Sequence, residues 1–277
     1  MLFVDVDGTL LDSAQRVSGE NLSALSACRA SGIRVILASG RPPGALLLLS
    51  QYVPMDSIVV SLNGGIVVDL ASSRVMAEWP LIPQLVDEVV EVADRTGAKP
   101  CLYTASEWYV RAVDEKAVLE VKRSGLRPRI ASELRGFDLP VLKVLLIAEP
   151  GVLAVTERAL RDSLGDELQI GYSYPEYLEI TGRSVSKATA CEVVLRSSGL
   201  RWRDAMAIGD STNDISMVGS ARIGVAMGNS GQELLSVAGF RTATNEENGV
   251  AAAIRGLIFG EADACEHLVV LCKGGLV

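Results

Sequence analysis

Residues 2–7 alternate two sets of side chains: Leu2, Val4 and Val6 against Phe3, Asp5 and Asp7. This period of two predicts a β-strand, and Gly8-Thr9 ends it. The stretch "VSGENLSALSACRASG" then changes period. Leu22, Leu25 and Cys28 fall on one helical face, Ser18 can cap the start and Gly32 the end. The near-continuous apolar run of residues 33–38 predicts a central parallel strand, buried on both faces. "SGRPP", a helix through Leu46–Leu49, a third strand over 57–61 and the turn signal "LNGG" into a strand over 66–69 follow. Strand, helix, strand, helix, strand predicts an open α/β sheet.

From about Leu81 the rhythm changes. The pattern predicts a helix over 83–96, strands over 101–104 and 108–111, and a helix over 115–124. A strand over 141–148, a helix over 151–164 and paired strands over 168–173 and 176–181 complete this segment. Paired strands interleaved with helices predict an α+β module with its own core. After Gly182 the first rhythm returns: a helix from near Val185 with Ser184 as its cap, strand 205–209, a helix over 213–219, strand 223–227 and a helix near 249–258. The expected architecture is a Rossmann-like open parallel sheet built from residues 1–80 and 183–277, with an α+β module inserted at 81–182.

Composition narrows the chemistry. A net charge of −8 over 277 residues argues against nucleic acid or an anionic membrane as a partner. No apolar run approaches the ~18–20 residues of a spanning helix, and acids at positions 5 and 7 do not suit a signal peptide, so the protein is expected in the cytoplasm. Five scattered cysteines without CxxC spacing read as reduced thiols. The single histidine, His267, reads as a surface residue of the tail; one histidine builds neither a Ser-His-Asp triad nor a multi-histidine zinc site. Catalysis then falls to carboxylates, hydroxyls, lysines and a hard metal ion.

Such groups gather at the carboxyl ends of the predicted strands, where open α/β sheets bind ligands. They are Asp5-Val6-Asp7-Gly8-Thr9, Ser39-Gly40-Arg41, Lys187, and Gly209-Asp210-Ser211-Thr212-Asn213-Asp214. Each has a plainer reading. DxDGT can be a turn, Ser39 can cap the helix at Pro42, and Asp210 and Asp214 can answer a helix dipole. Lys187 in a first helical turn opposes the dipole, by roughly 0.3–1 kcal/mol if exposed, so a nearby anion would relieve it. Together the groups suit phosphoryl transfer through a covalent aspartyl phosphate. One carboxylate attacks, a second moves protons, a cation joins the clustered acids, and hydroxyl, amide and lysine donors hold the phosphoryl charge.

The ordered set "FVDVDGTLLDS", "LASGRP", "SLNGG", "YLEITGRSVSKATA", "AIGDSTNDISM" and "GVAMGNS" resembles the haloacid dehalogenase superfamily, and within it the Cof-type hydrolases with a large cap, over roughly residues 1–258. The resemblance implies Asp5 as nucleophile and Asp7 as general acid/base. It implies Ser39, Gly40, Lys187 and Asn213 around the phosphoryl group. Mg²⁺ would be held by Asp5, the Asp7 carbonyl and Asp210, with Asp214 direct or one step removed. Ala188, Gly65 and Ser230 stand where relatives often carry other small residues, and none of these removes a reactive group. The implied activity is a phosphatase on a small phosphorylated metabolite, a sugar phosphate or similar monoester, acting as monomer or homodimer. A phosphomannomutase-type phosphotransferase is the alternative, and a non-catalytic binding or regulatory protein a more distant one. Arg111, Tyr172, Tyr174 and Arg183 are polar specificity candidates in the cap. Asp12 reads as a turn residue, and the tail 262–277 as a last helix or strand on the core or a subunit contact.

Overall fold

The computed structural model describes residues 1–271. Its central sheet has the strand order Val35–Leu37, Leu2–Val4, Met206–Gly209, Ile223–Ala226, Phe240–Arg241, Val269–Val270, parallel except for the last. Alternation decides what each face meets. Leu2, Val4, Val35 and Leu37 share one apolar cluster with Leu25 and Cys28 of helix Gly19–Ala30 and with Val250 and Ile254 of helix Gly249–Leu257. Phe3 and Ile36 pack on the opposite face against Ala190, Cys191 and Val194 of helix Lys187–Ser197 and Met217 and Val218 of helix Ile215–Ser220. Because both faces are covered, these strands are apolar throughout, and charge is confined to their ends.

The strand Ile58–Ser61 does not join this sheet as the rhythm predicts. It pairs antiparallel with Ile66–Asp69, which pairs with Arg74–Glu78; its strand pairing to the central sheet is a single bridge between Ala38 and Val60, while Val59 and Val60 pack into the core clusters. The tight turn at Leu62–Gly64 reverses the chain before a parallel ladder can extend.

A third sheet, in the order 168–174, 177–182, 143–147, 99–103, 108–110, 129–130, is built from the inserted segment. Its Leu102, Val144, Leu146, Leu178 and Ile180 pack under helices Pro83–Thr96 and Pro150–Leu164. The opposite phase of the same strands carries Tyr103, Leu145, Ile147 and Tyr177, which belong to the cluster that also holds Leu10, Leu46 and Ile66 of the core. By the same alternation Lys143 and Glu179 face toward the core. Helix Glu115–Ser124 lies on that side, capped by Asp114, whose side chain accepts from the Ala117 amide.

The tail contributes a short helix, Ala262–Cys265, and the strand Val269–Val270; His267 is exposed, and Cys272 lies outside the described residues. Cys28, Cys101 and Cys191 are buried free thiols and Cys265 an exposed one. No helix among the described residues is long and apolar enough to cross a membrane.

Candidate active site

Because Leu2–Val4, Val35–Leu37 and Met206–Gly209 run parallel, the residues that follow them meet at one end of the sheet. Asp5 leaves its strand with its amide still bonded to Ile208 O (3.0 Å), and its carboxylate is buried. The chain then turns sharply. Gly8 has φ +77°, and a Cβ there would sit 2.4 Å from Asp210 Oδ2. Glycine is therefore needed both for the turn and for the approach of Asp210. Thr9 donates its hydroxyl to Asp210 Oδ1 (2.8 Å), fixing that carboxylate from below.

Lys187 is the first residue of its helix. Its cap is Ser186, which accepts from the Thr189 amide, rather than Ser184. The ammonium is fully buried and donates to Asp5 Oδ1 (2.6 Å) and Asp214 Oδ1 (2.7 Å). Two carboxylates thus supply the anion that a cation in this first turn requires. The other oxygen of Asp214 accepts the amides of Asp210 and Ser211 (both 3.1 Å), so Asp214 holds the lysine and the 210–211 loop together.

Asp5, Asp210 and Asp214 each offer an oxygen within 4.8 Å of the others. Three carboxylates face one ammonium. Burial, reinforced by the charge of Asp214, pushes Asp5 well above the usual carboxylate range despite Lys187. Burial and Asp214 likewise push Asp210 up to about 7. The cluster lacks positive charge, and its oxygen-only donor set fits a hard divalent cation between Asp5 and Asp210.

Asp7 has a different environment. Arg41 donates from Nε to Oδ2 (2.8 Å) and from an Nη to Oδ1 (2.7 Å), and Tyr174 donates its phenol to Oδ1 (3.3 Å). Burial raises the carboxyl, but the guanidinium outweighs it and holds Asp7 below its ordinary value. Asp5 and Asp7 are thus driven apart, as groups with different tasks in one site are.

Ser39 is fully buried, its hydroxyl accepting from the Arg41 amide (3.1 Å); Gly40 and Arg41 are the members of that turn that line the cavity. Asn213 lines it too and donates to Asn63 Oδ1 (3.1 Å). The cavity, about 150 Å³, lies between the strand ends and the inserted sheet, which contributes Lys143, Tyr174, Tyr177 and Glu179. Arg123 lines it as well. Its guanidinium lies 3.8 Å from the Tyr174 ring centre and 4.4 Å from that of Tyr177, and one of its Nη atoms is buried without a hydrogen-bond partner. Of the polar specificity candidates, Tyr174 lies here and Tyr172 lines the adjoining groove. Arg111 is paired with Asp94 elsewhere, and Arg183 is exposed. Arg41 and Asn63 stand in the SGR and LNGG motifs without an expected role, and Arg123, Lys143 and Glu179 are not marked by spacing. The available signal was a charge inside an apolar run, Lys143 in "VLKVLLIA" and Glu179 in "YLEITG".

A parallel α/β sheet with an oxygen-only acidic cluster at its carboxyl end, roofed by an inserted sheet, defines a class of hydrolytic enzyme. The description "haloacid dehalogenase-like hydrolase" matches residues 2–254. The phosphoglycolate phosphatase of Methanothermobacter thermautotrophicus is 29% identical, over 91% of this chain and 96% of its own. The 5-amino-6-(5-phospho-D-ribitylamino)uracil phosphatase YcsE of Bacillus subtilis is 27% identical, over 92% and 94%. The crystal structure of a haloacid dehalogenase-like hydrolase from Bacteroides thetaiotaomicron superposes with a TM-score of 0.83 at 31% identity, covering 92% of this chain and 98% of that one. The chain belongs to the haloacid dehalogenase-like hydrolases. It is a phosphatase of that family, a hydrolase of phosphoric monoesters.

Proposed function

We propose that the protein hydrolyses the monoester of a small phosphorylated metabolite by way of a phosphoryl group carried on Asp5. Residues 81–182 are read as a cap over a core made of 1–80 and 183–277. The observation that carries the reading is the opposed state of two acids two positions apart: Asp5 on Lys187 beside Asp210, and Asp7 on Arg41 beneath the cap.

An Asp5 oxygen attacks phosphorus and the bond to the leaving oxygen breaks, while Asp7 gives that oxygen a proton. Water then attacks the phosphorus of the acyl phosphate, Asp7 takes its proton, and the bond to Asp5 breaks to release phosphate. The pairing with Arg41 aims Asp7 and favours its ionised form, which suits the second half. In the first half the incoming phosphate brings negative charge beside Asp7 and favours the protonated form. Lys187 and the Asn213 amide offset charge on the phosphoryl oxygens, and the Gly40 turn supplies backbone donors. Asp5, Asp210 and the Asp7 carbonyl are the groups to hold Mg²⁺, with Asp214 fixing Lys187 and the loop. The ion would neutralise the clustered carboxylates and phosphoryl oxygens. The leaving group lies against Tyr174 and the buried Nη of Arg123, a place for a polar, oxygen-bearing portion such as a sugar.

Purified protein with Mg²⁺ should release inorganic phosphate from members of a panel of sugar and polyol phosphates. EDTA should stop the release, and added Mg²⁺ should restore it. Asp5→Asn should lose turnover by a factor on the order of 10³ or more, since the carboxylate is the bond-forming group. A panel without phosphate release, or an Asp5→Asn variant that turns over normally, would reject the assignment.

A further inference from the structure

Lys143 stands in the middle of an apolar strand and is only 3% exposed, yet it does not serve the acidic cluster. Its ammonium donates across the cap–core boundary to Gly40 O (2.7 Å), and to Glu179 Oε1 within the inserted sheet (3.2 Å). Ser173 also donates to Glu179 Oε1 (3.0 Å). The second oxygen of Glu179 crosses back to the core, where it accepts from the side-chain amide of Asn63. Asn63 Oδ1 in turn accepts from Asn213 Nδ2. The chain of contacts is therefore Gly40, Lys143, Glu179, Asn63, Asn213. Its two ends are core groups that face the phosphoryl position, and its middle is a buried ion pair of the insert.

This arrangement is demanding. A charged pair so deeply buried stabilises little by itself, because desolvation opposes the Coulomb attraction, while removing one partner leaves an unpaired charge. Nearer-to-neutral residues would fill the same space with less penalty. What the pair does provide is geometry. Gly40 O is pinned by an ammonium, which sets the peptide plane of the Ser39–Arg41 turn. Asn213 is oriented by Asn63, whose own conformation (φ 57°) lies in the left-handed region that asparagine tolerates. A Cβ at Gly40 would lie 2.9 Å from Asn63 Oδ1 and 3.2 Å from Glu179 Oε2, so the three groups meet at one point.

We propose that Lys143 and Glu179 are positioning residues of the phosphatase. Docking of the insert sets the Gly40 turn and Asn213 in the arrangement that receives the phosphoryl group. The inference rests on the phosphatase reading given above. It makes the insert part of the phosphate site itself, beyond any role in choosing the leaving group.

The test uses the full chain, Mg²⁺, p-nitrophenyl phosphate as substrate and inorganic phosphate as competing ligand. Lys143→Met and Glu179→Gln keep the shapes and remove the charges. In each, kcat should fall on the order of tenfold or more, as misplaced reacting groups cause. The inhibition constant for inorganic phosphate should weaken in the same variants. The double variant should be no worse than the poorer single one, since the two residues act as one unit. Variants that fold, retain kcat within about twofold and bind phosphate as the parent does would overturn the inference. Should Lys143→Met not fold, Glu179→Gln and Asn63→Asp, which sets a carboxylate against Glu179, give the same reading. A parent chain without phosphatase activity would instead remove the reading beneath it.

Discussion

Glu120 shows how one side chain can oppose the fold that contains it. It is 6% exposed, lines the active-site cavity and accepts the Tyr103 phenol at 2.6 Å. Burial raises its carboxyl above the ordinary value of 4.5, only partly countered by Tyr103 and Lys143. The unfolded chain thus gives up this proton at lower pH than the folded one. As pH rises from about 4.5 through the folded value, the native state is progressively penalised. Glu120→Gln keeps the acceptor for Tyr103 and removes the charge. It should raise the unfolding free energy at neutral pH by up to about 1 kcal/mol and leave it unchanged near pH 4, as urea titrations at the two pH values would read. An equal effect at both would contradict the assignment. At this scale the legible residues were those at strand ends and at one helix start. Asp5, Asp7, Asp210, Asn213 and Asp214 announce themselves as charged or amide groups just past an apolar run, and Lys187 as a cation in a first helical turn. Lys143 and Glu179 do not. Their partners Gly40 and Asn63 lie 103 and 116 positions away, as Asp7 lies 34 from Arg41, and no local pattern carries such a distance.

At the scale of elements, the helices with clear stops match their expected spans. Pro83–Thr96 starts on a proline and ends at left-handed Gly97, and Glu115–Ser124 runs from Asp114 to left-handed Gly125. Strands of two residues, such as Arg129–Ile130 and Phe240–Arg241, have no period to read. The cap of the Lys187 helix moved from Ser184 to Ser186, because each serine satisfies the local rule and only the tertiary contact distinguishes them. That contact is the turn Leu62–Gly64. Gly64 has φ +96°, and a Cβ there would lie 2.2 Å from Ser186 O. Gly64→Ala should cost roughly 1–3 kcal/mol from backbone strain alone. It should also lower kcat, because the helix end that carries Lys187 must retreat. Unfolding curves and turnover measured together would show both losses, and a variant equal to the parent in each would refute the contact.

For the whole molecule, it was legible from the change in rhythm along the chain that a parallel sheet is interrupted by a second, mixed sheet. The apolar continuity between them was not. Leu10, Leu46 and Ile66 share one cluster with Tyr103, Leu145 and Tyr177, because the inserted sheet turns its second face to the core. Calorimetry should therefore show one cooperative unfolding transition; two resolved transitions would mean that the parts unfold independently. The strand order has a temporal meaning as well. The strand bearing Asp5 lies between Val35–Leu37 and Met206–Gly209, so its two neighbours are made some thirty and some two hundred residues after it. While a ribosome is still translating the insert, residues 2–4 can pair on one side only. The edge awaiting Met206–Gly209 stays open until that strand has itself emerged. Asp5 is thus made some two hundred residues before Asp210 and Asp214, and its oxygen cluster cannot exist until they arrive.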